Sequence, residues 1–350
     1  MNHSKDLKFT ICVPTFNRGN KALFMVQKLL PEIEDDWQIL ILDNASTLEV
    51  EAYQQIGILS KTDQRLKYIR HDSNRMMYGN FLAAFQLATS PYIMLVSDED
   101  FANPEMIRNV LPLLYQHKGV GVLRGAIAPV EGVKRRNSHN RRDVSYIYGE
   151  EALMGFAFSN NYFSGTIYNR QLFFDLGLID RLVNELGRNA VYPHLYLELL
   201  ACAVSDVVST SQICCFEGAE QTMEGNLPDS YAAPYSFGSR VDQFFVLRDA
   251  ALEAVGLVKQ PFDKQLFATI YLKLCEKYMY LTTKVNVSMY LRNNIHPDFL
   301  HQAMVYVCGA GISMYPGFAD IQAFIYEEIQ KLDKKYEPYL LDMDIQIDKL

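Results

Sequence analysis

The chain has 350 residues, 49% of them apolar and 21% charged, a length and composition that fit about two folded domains and exclude a disordered segment. Thirty-three basic residues against 41 acidic ones leave a net charge of −8, which argues against general nucleic-acid binding. No run reaches the ~18 uninterrupted apolar residues of a membrane span, and Met1–Lys8 lacks the apolar stretch of a secretory signal, so the expected location is the cytoplasm.

Phe9–Val13 is a short apolar run of strand type, stopped by Pro14 and followed by the polar Thr15-Phe16-Asn17-Arg18. Ala22, Met25, Val26 and Leu29 then recur at helical spacing. Trp37–Leu42 reads as a second buried strand and ends in Asp43-Asn44-Ala45-Ser46-Thr47, residues that favour a turn or a helix N-cap. Leu66–Arg70 reads as a third strand, and Phe81, Ala84, Phe85 and Ala88 mark the face of a following helix. Tyr92–Val96 is a fourth strand, running into Ser97-Asp98-Glu99-Asp100. Continuous apolar strands alternating with helices predict an α/β fold with a mostly parallel sheet covered on both faces. Ligands of such sheets bind beyond the carboxyl ends of the strands, which is where Thr15–Arg18, Asp43–Ser46 and Asp98–Asp100 all fall.

The middle third is less regular. Val120–Leu123 and Tyr162–Tyr168 are expected to be strands, with charged Val133–Val144 as a loop between them. From about Val241 the pattern turns helical, with Phe262–Thr283 amphipathic and a further helix over Ala319–Lys334; Asn226–Gly238 has linker composition. The aromatic residues of this tail suit core packing, a homodimer contact or a lipid-facing groove. Cys12, Cys202, Cys214, Cys215, Cys275 and Cys308 show no CxxC spacing and sit in apolar runs, so buried reduced thiols are expected. The basic run Lys134–Arg142 reads as a solvated loop, with a lipid-carrier phosphate or a membrane surface as the functional alternative.

The carboxylates of Asp98-Glu99-Asp100 repel one another and suit a hard divalent ion such as Mg²⁺ or Mn²⁺; the alternative is an acidic turn before a helix starting at Asn103-Pro104-Glu105. Taken with Ile11–Arg18, Leu42–Thr47 and the Asn74, Gly79, Asn80 stretch, this segment resembles the family 2 glycosyltransferases of the GT-A fold, and among them the bacterial abequosyltransferase-like branch that builds surface polysaccharides. The resemblance covers residues 8 to about 220. It implies residues 1–225 as a catalytic domain, with a nucleotide-binding half (8–105) and an acceptor half (106–225), and residues 226–350 as a helical C-terminal extension.

The resemblance further implies a nucleotide-sugar donor and a saccharide acceptor, lipid-linked in such pathways, reached from the inner face of the plasma membrane without nucleic acid. Pro14, Thr15, Phe16 and Arg18 would line the nucleoside pocket, Asp43 would accept hydrogen bonds from the base beside Asn44, and Arg75 would approach the base or diphosphate. Asp98 would contact the ribose or the metal region, and Asp100 would hold the metal. Glu99 stands where the family commonly has Asp, and Pro193-His194 where many members carry Glu-Asp before a helix. His194 is therefore ranked first as the base of an inverting, metal-dependent transfer, with Glu198 second and Asp180 third. Two other readings remain: a sugar-phosphate nucleotidyltransferase, weakened by a first loop holding only Gly19, and a non-catalytic scaffold of the same fold.

Overall fold

Side-chain alternation along the first strands decides which face of the sheet each helix covers. The computed structural model describes residues 7–131, 141–159, 162–185, 192–218, 236–285 and 297–347. Strand β1 (Phe9–Thr15) turns Phe9, Ile11 and Val13 toward one apolar layer and Cys12 toward the other; β2 (Trp37–Asp43) divides Ile39 and Ile41 from Leu40 and Leu42 in the same way. Both strands are buried along nearly their whole length, as strands covered on two faces must be. The first layer is closed by α1 (Gly19–Leu29), α2 (Val50–Thr62) and α4 (Pro104–Gln116), which bury Met25, Val26, Ile56, Met106 and Ile107.

Strands β1, β2, β3 (Leu66–Arg70) and β4 (Tyr92–Leu95) pair in parallel in the order β3-β2-β1-β4. Beyond β4 the sheet continues through β8 (Thr166–Asn169), β6 (Val120–Pro129) and β9 (Asp206–Glu217) to the two-residue β5 (Phe101–Ala102). Strand β8 runs antiparallel to both its neighbours, while β6 and β9 pair in parallel. A short β7 (Val144–Tyr146) pairs with β9. Expectation and structure agree at the first four strands. The sixth expected strand, Tyr162–Tyr168, contributes only its last residues to β8, because Gly165 with φ +79° turns the chain into the strand.

The second layer holds α3 (Met76–Leu87), α5 (Glu150–Gly155), α6 (Arg170–Asp175), α7 (Leu178–Asn184) and α8 (Pro193–Val204). Helix α8 is apolar on nearly every side, and a helix of that kind must be covered on every side. The sheet covers one side of it and α9 (Phe237–Val258) the other. Helices α10 (Lys264–Tyr280), α11 (Pro297–Ser313) and α12 (Ala319–Ile347) pack with α9 into the same apolar layer, through Phe244, Tyr271, Tyr278, Met304 and Ile325. The tail helices thus share one core with α3 and α8. All six cysteines are buried and free. Residues 226–235 of the expected linker and 134–140 of the basic run lie outside the described residues. Among the described residues no helix is long and apolar enough to cross a membrane.

Candidate functional site

Sheet register places Thr15, Asp43 and Arg70 side by side at the carboxyl ends of β1, β2 and β3. The next loops are then stitched to one another. Backbone N–H groups of Thr47 and Leu48 donate to Asn17 Oδ1 at 2.8 and 3.1 Å, and Asn17 N donates to Ser46 Oγ at 2.8 Å. Asn44 Nδ2 donates to Asn74 Oδ1 at 2.8 Å, and Asn44 Oδ1 accepts from the backbone N–H of Arg75 at 2.8 Å. Each of these loops carries a non-glycine residue in the left-handed region: Asn17, Ala45 and Met76, with φ of 56°, 61° and 59°. Such conformations cost energy and persist where surrounding bonds over-determine them, commonly at ligand sites.

Asp43 does not cap a helix. Its Oδ1 accepts from the N–H of Ser46 at 2.8 Å, making a local turn, while α2 begins at Val50. Its Oδ2 accepts from the hydroxyl of Tyr68 at 2.7 Å, and the carboxylate is wholly buried. Burial, then the bond to Asp43, push the Tyr68 phenol well above its usual range.

Asp98 is held from the β1 side. Thr15 Oγ1 donates to Asp98 Oδ2 at 2.8 Å, and Arg18 Nη1 donates to Oδ1 at 3.1 Å. The Thr15 hydroxyl has one proton, so the Tyr53 hydroxyl 2.8 Å away must donate to it; Tyr53 in turn accepts from the Arg18 N–H at 3.1 Å. Burial raises the Asp98 carboxyl pKa, with Arg18 and Thr15 opposing the rise. Glu99 lies 3.7 Å from Arg18 Nη1 and 3.5 Å from Lys21 Nζ.

Asp100 is also buried, but its hydrogen-bond donors are neutral and the nearest charge, Glu99, is of its own sign. Tyr162 donates its hydroxyl to Oδ2 at 2.5 Å, and the Gly218 N–H donates to Oδ1 at 3.1 Å. Burial pushes its carboxyl up to about 6, with the Ser164, Tyr162 and Gly218 donors opposing. No Lys or Arg among the described residues forms an ion pair with it. A buried carboxylate without a cationic partner, presented by a loop at the sheet edge, has the donor chemistry of a hard-cation ligand. Among the described residues no three Asp, Glu, His or Cys side chains converge on one point. A divalent ion here would therefore draw one or two carboxylates from the protein and the rest of its shell from phosphate and water, as Mg²⁺ does.

Gly218 permits this arrangement. A Cβ there would overlap the carbonyl oxygen of Glu99, so the end of β9 can approach the acidic loop only as glycine. Gly218→Ala is expected to displace the loop and lower turnover by about tenfold or more, while the melting temperature falls by only a few degrees because one loop contact is affected. Steady-state kinetics beside a thermal melt test it.

Of the other expected residues, Pro14 and Phe16 are half-buried beside Thr15, and Arg75 is exposed at the start of α3. Thr15, Arg18 and Asp98 thus come into direct contact, and Asp43, Asn44 and Arg75 join them through backbone and amide bonds. His194 and Glu198 lie elsewhere, inside the layer between the sheet and the tail helices. His194 is fully buried on the first turn of α8, with the rings of Phe81, Phe163 and Tyr192 centred 6.5, 6.1 and 5.7 Å from its own. Glu198 is 2% exposed; it pairs with Arg124 and accepts from the Tyr168 hydroxyl at 3.1 Å. Burial pushes its pKa up, opposed by Arg124. Asp180 is exposed on α7.

The sequence reading missed Tyr53, Tyr68, Tyr162 and Gly218. Each acts through a contact between segments distant in the chain, and nothing in its local sequence marks it.

Comparison with known proteins bears on this geometry. Residues 10–177 match the family described as Glycosyl transferase family 2. WcaA of Escherichia coli K12, described as a colanic acid biosynthesis glycosyl transferase, is 29% identical over 109 residues, 31% of this chain and 37% of WcaA. RC0461 of Rickettsia conorii, an uncharacterized glycosyltransferase, is 24% identical over 112 residues, 32% of this chain and 18% of its own. The chain thus spans well under half the length of either relative. Among solved structures, residues 1–349 of S. aureus TarS superpose with a TM-score of 0.63 at 14% identity, covering 97% of this chain and 92% of that one. The same fragment in complex with UDP-GlcNAc gives 0.63 over the same coverage. At that identity the likeness speaks for the fold, which is shared through the tail helices as well as the sheet. The match to glycosyl transferase family 2 thus runs from β1 to α6 and takes in every acidic and polar loop described above except Gly218, on a chain with the GT-A fold.

Proposed function

We propose that the protein transfers a sugar from a nucleotide-sugar donor to a saccharide acceptor in the assembly of a bacterial surface polysaccharide. The observation that carries this reading is the convergence of the Thr15–Arg18, Asp43–Asn44, Asn74–Arg75 and Asp98–Asp100 loops on one sheet edge, with Asp100 buried there and without an ion-pair partner among the described residues. The TarS fragment that shares the fold has been crystallised with UDP-GlcNAc, and WcaA carries a polysaccharide-biosynthesis description; both support the reading. Residues 8–105 would bind the donor, 106–225 would receive the acceptor, and residues 226–350 would buttress the acceptor side.

Within this reading, Pro14 and Phe16 flank the nucleoside. Asp43 receives the base: each carboxylate oxygen keeps a second lone pair after its bond to Ser46 or Tyr68. Arg18 moves its guanidinium between Asp98 and the diphosphate, for which its planar fork is suited. Asp100 would hold Mg²⁺ or Mn²⁺, with Asp98 beside it. Such an ion neutralises charge that builds on the departing diphosphate. The protein's own contribution is to hold the donor rigid in a dry cleft and leave one face of the anomeric carbon open to the acceptor.

The expectation from the sequence that His194 is the acceptor-side base has a direct test. If it is the base, His194→Ala loses the acid limb of the pH–rate profile and keeps its melting temperature. Its ring of aromatic neighbours favours the opposite result: a cavity that costs about 2–4 kcal/mol of stability, with turnover per folded molecule retained.

The proposal as a whole is tested by incubating the protein with a panel of nucleotide sugars, with Mn²⁺ or with EDTA, and measuring nucleoside diphosphate release. Slow release from one donor that needs the metal supports transfer. No release from any donor favours the scaffold reading, and release of pyrophosphate from a sugar phosphate and a nucleoside triphosphate would favour the nucleotidyltransferase.

A further inference from the structure

A second charged site lies apart from the strand-end loops. A cavity of about 270 Å³ opens beside the end of α5, lined by Arg124, Arg141, Arg142, Phe156, Ser159 and Ser209 among others. Arg124 is 2% exposed. It stands on β6 in register with Thr166 of β8, and its guanidinium lies 4.1 Å over the Phe156 ring. Its Nη1 donates to Ser159 Oγ at 2.6 Å and its Nη2 pairs with Glu198, but Nε is buried with no hydrogen-bond partner among the described residues. Arg141 has both Nε and Nη2 buried in the same condition. Lys277, from α10, completes the group: its ammonium donates to the Phe158 carbonyl at 2.9 Å.

Three cationic side chains thus meet one carboxylate. The excess is felt at its members: burial, then Arg124, push the Lys277 pKa down to about 7, and burial with Arg124 lowers that of Arg141. Buried positive charge with open donors is costly unless an anion answers it. The unpartnered edge of Arg141, Nε with Nη2, is the fork that takes two oxygens of a phosphate or carboxylate side by side. The cavity is smaller than the ~300–1,000 Å³ of sites for drug-sized ligands, too small for a nucleotide sugar and ample for one tetrahedral oxyanion.

We propose that Arg124, Arg141 and Lys277 form a binding site for a phosphoryl group, either the free ion or a phosphate ester carried by the acceptor. The site is built from β6, the segment just before β7 and α10, and does not depend on the donor reading. Its place two strands from β4, whose end carries the acidic loop, puts it within the half expected to receive the acceptor.

The test is thermal stabilisation and titration calorimetry of the whole protein with inorganic phosphate, against sodium chloride of matched ionic strength, for wild type, Arg141→Gln and Lys277→Met. Wild type is expected to gain stability with phosphate, and each variant to weaken binding at least tenfold. Two variants are used so that misfolding of one leaves the other to decide. Absence of a salt-matched shift in wild type overturns the proposal. So does a shift that survives both variants, which would place the phosphate at the strand-end loops. Glycerol 3-phosphate and dimethyl phosphate in the same assay name the source: ester binding that depends on Arg141 assigns the site to an esterified acceptor, and binding of inorganic phosphate alone assigns it to the free ion.

Discussion

Asp100→Asn is expected to lower turnover by roughly 10²–10³-fold, the scale on which loss of one preorganised charge at a reacting centre acts. Asn fills the same space and still accepts from Tyr162 or Gly218, so the loop should keep its shape. It lacks the anionic oxygens a hard cation requires. Stability should hold or rise, because burying an ionised carboxylate among neutral donors is unfavourable and Asn removes that cost. Activity and stability therefore move independently, the pattern of a residue kept for function. Kinetics at saturating donor, beside a thermal melt, read both. A variant that melts far below wild type would instead make Asp100 a structural anchor of the loop.

Arg124→Met is expected to destabilise the fold by up to about 3–5 kcal/mol, since it removes the direct ion-pair partner of buried Glu198 and leaves only the through-space attraction of Lys277 and Arg141. Tyr168 alone would remain as donor to that carboxylate. Replacing both partners, Arg124→Met with Glu198→Leu, should recover part of the loss, because well-packed apolar groups commonly do as well as a buried ion pair, while Lys277 and Arg141 lose their carboxylate. Chemical denaturation of the two variants and wild type gives the comparison. The pair also bears on chemistry: Glu198→Gln should lose stability and keep turnover per folded molecule. Loss of turnover with an unchanged denaturation midpoint would make Glu198 a reacting group.

Legibility in the sequence followed the range of the interactions. Strands β1, β2 and β4 carry their burial in their own composition, because a strand covered on both faces needs apolar residues at nearly every position; β3, at the sheet edge, is only partly buried. The polar residues after each strand could be assigned to one edge, since parallel strands carry their carboxyl ends to the same side. Asn103 at the start of α4 was equally readable: its side chain accepts from the Met106 N–H, as the residue before Pro104 suggested.

The rest depended on tertiary pairing. The sequence reading assigns no strand to Asp206–Glu217, where β9 lies, and only its pairing with β6 brings Gly218 to Asp100. Asp43 suggested an N-cap because short polar residues after a strand commonly start helices, yet Tyr68 on the neighbouring strand and the nearer Ser46 N–H claimed its oxygens first. The sequence ranks His194 and Glu198 as bases from their place at the start of a helix where the resembled family carries Glu-Asp. No local pattern announced that α9 would lie across α8 and seal both.

The central claim is that the acidic loop and its neighbours bind a nucleoside diphosphate through a divalent ion. Its most direct test is the melting temperature of wild type and Asp100→Asn with a panel of nucleoside diphosphates, each with Mn²⁺ and with EDTA. The account predicts that one nucleotide stabilises wild type by about 2–3 kcal/mol at a hundredfold excess over its Kd, only with the metal, and that Asp100→Asn loses the effect. Stabilisation of equal size in EDTA and in the variant, or none from any nucleotide, would contradict it.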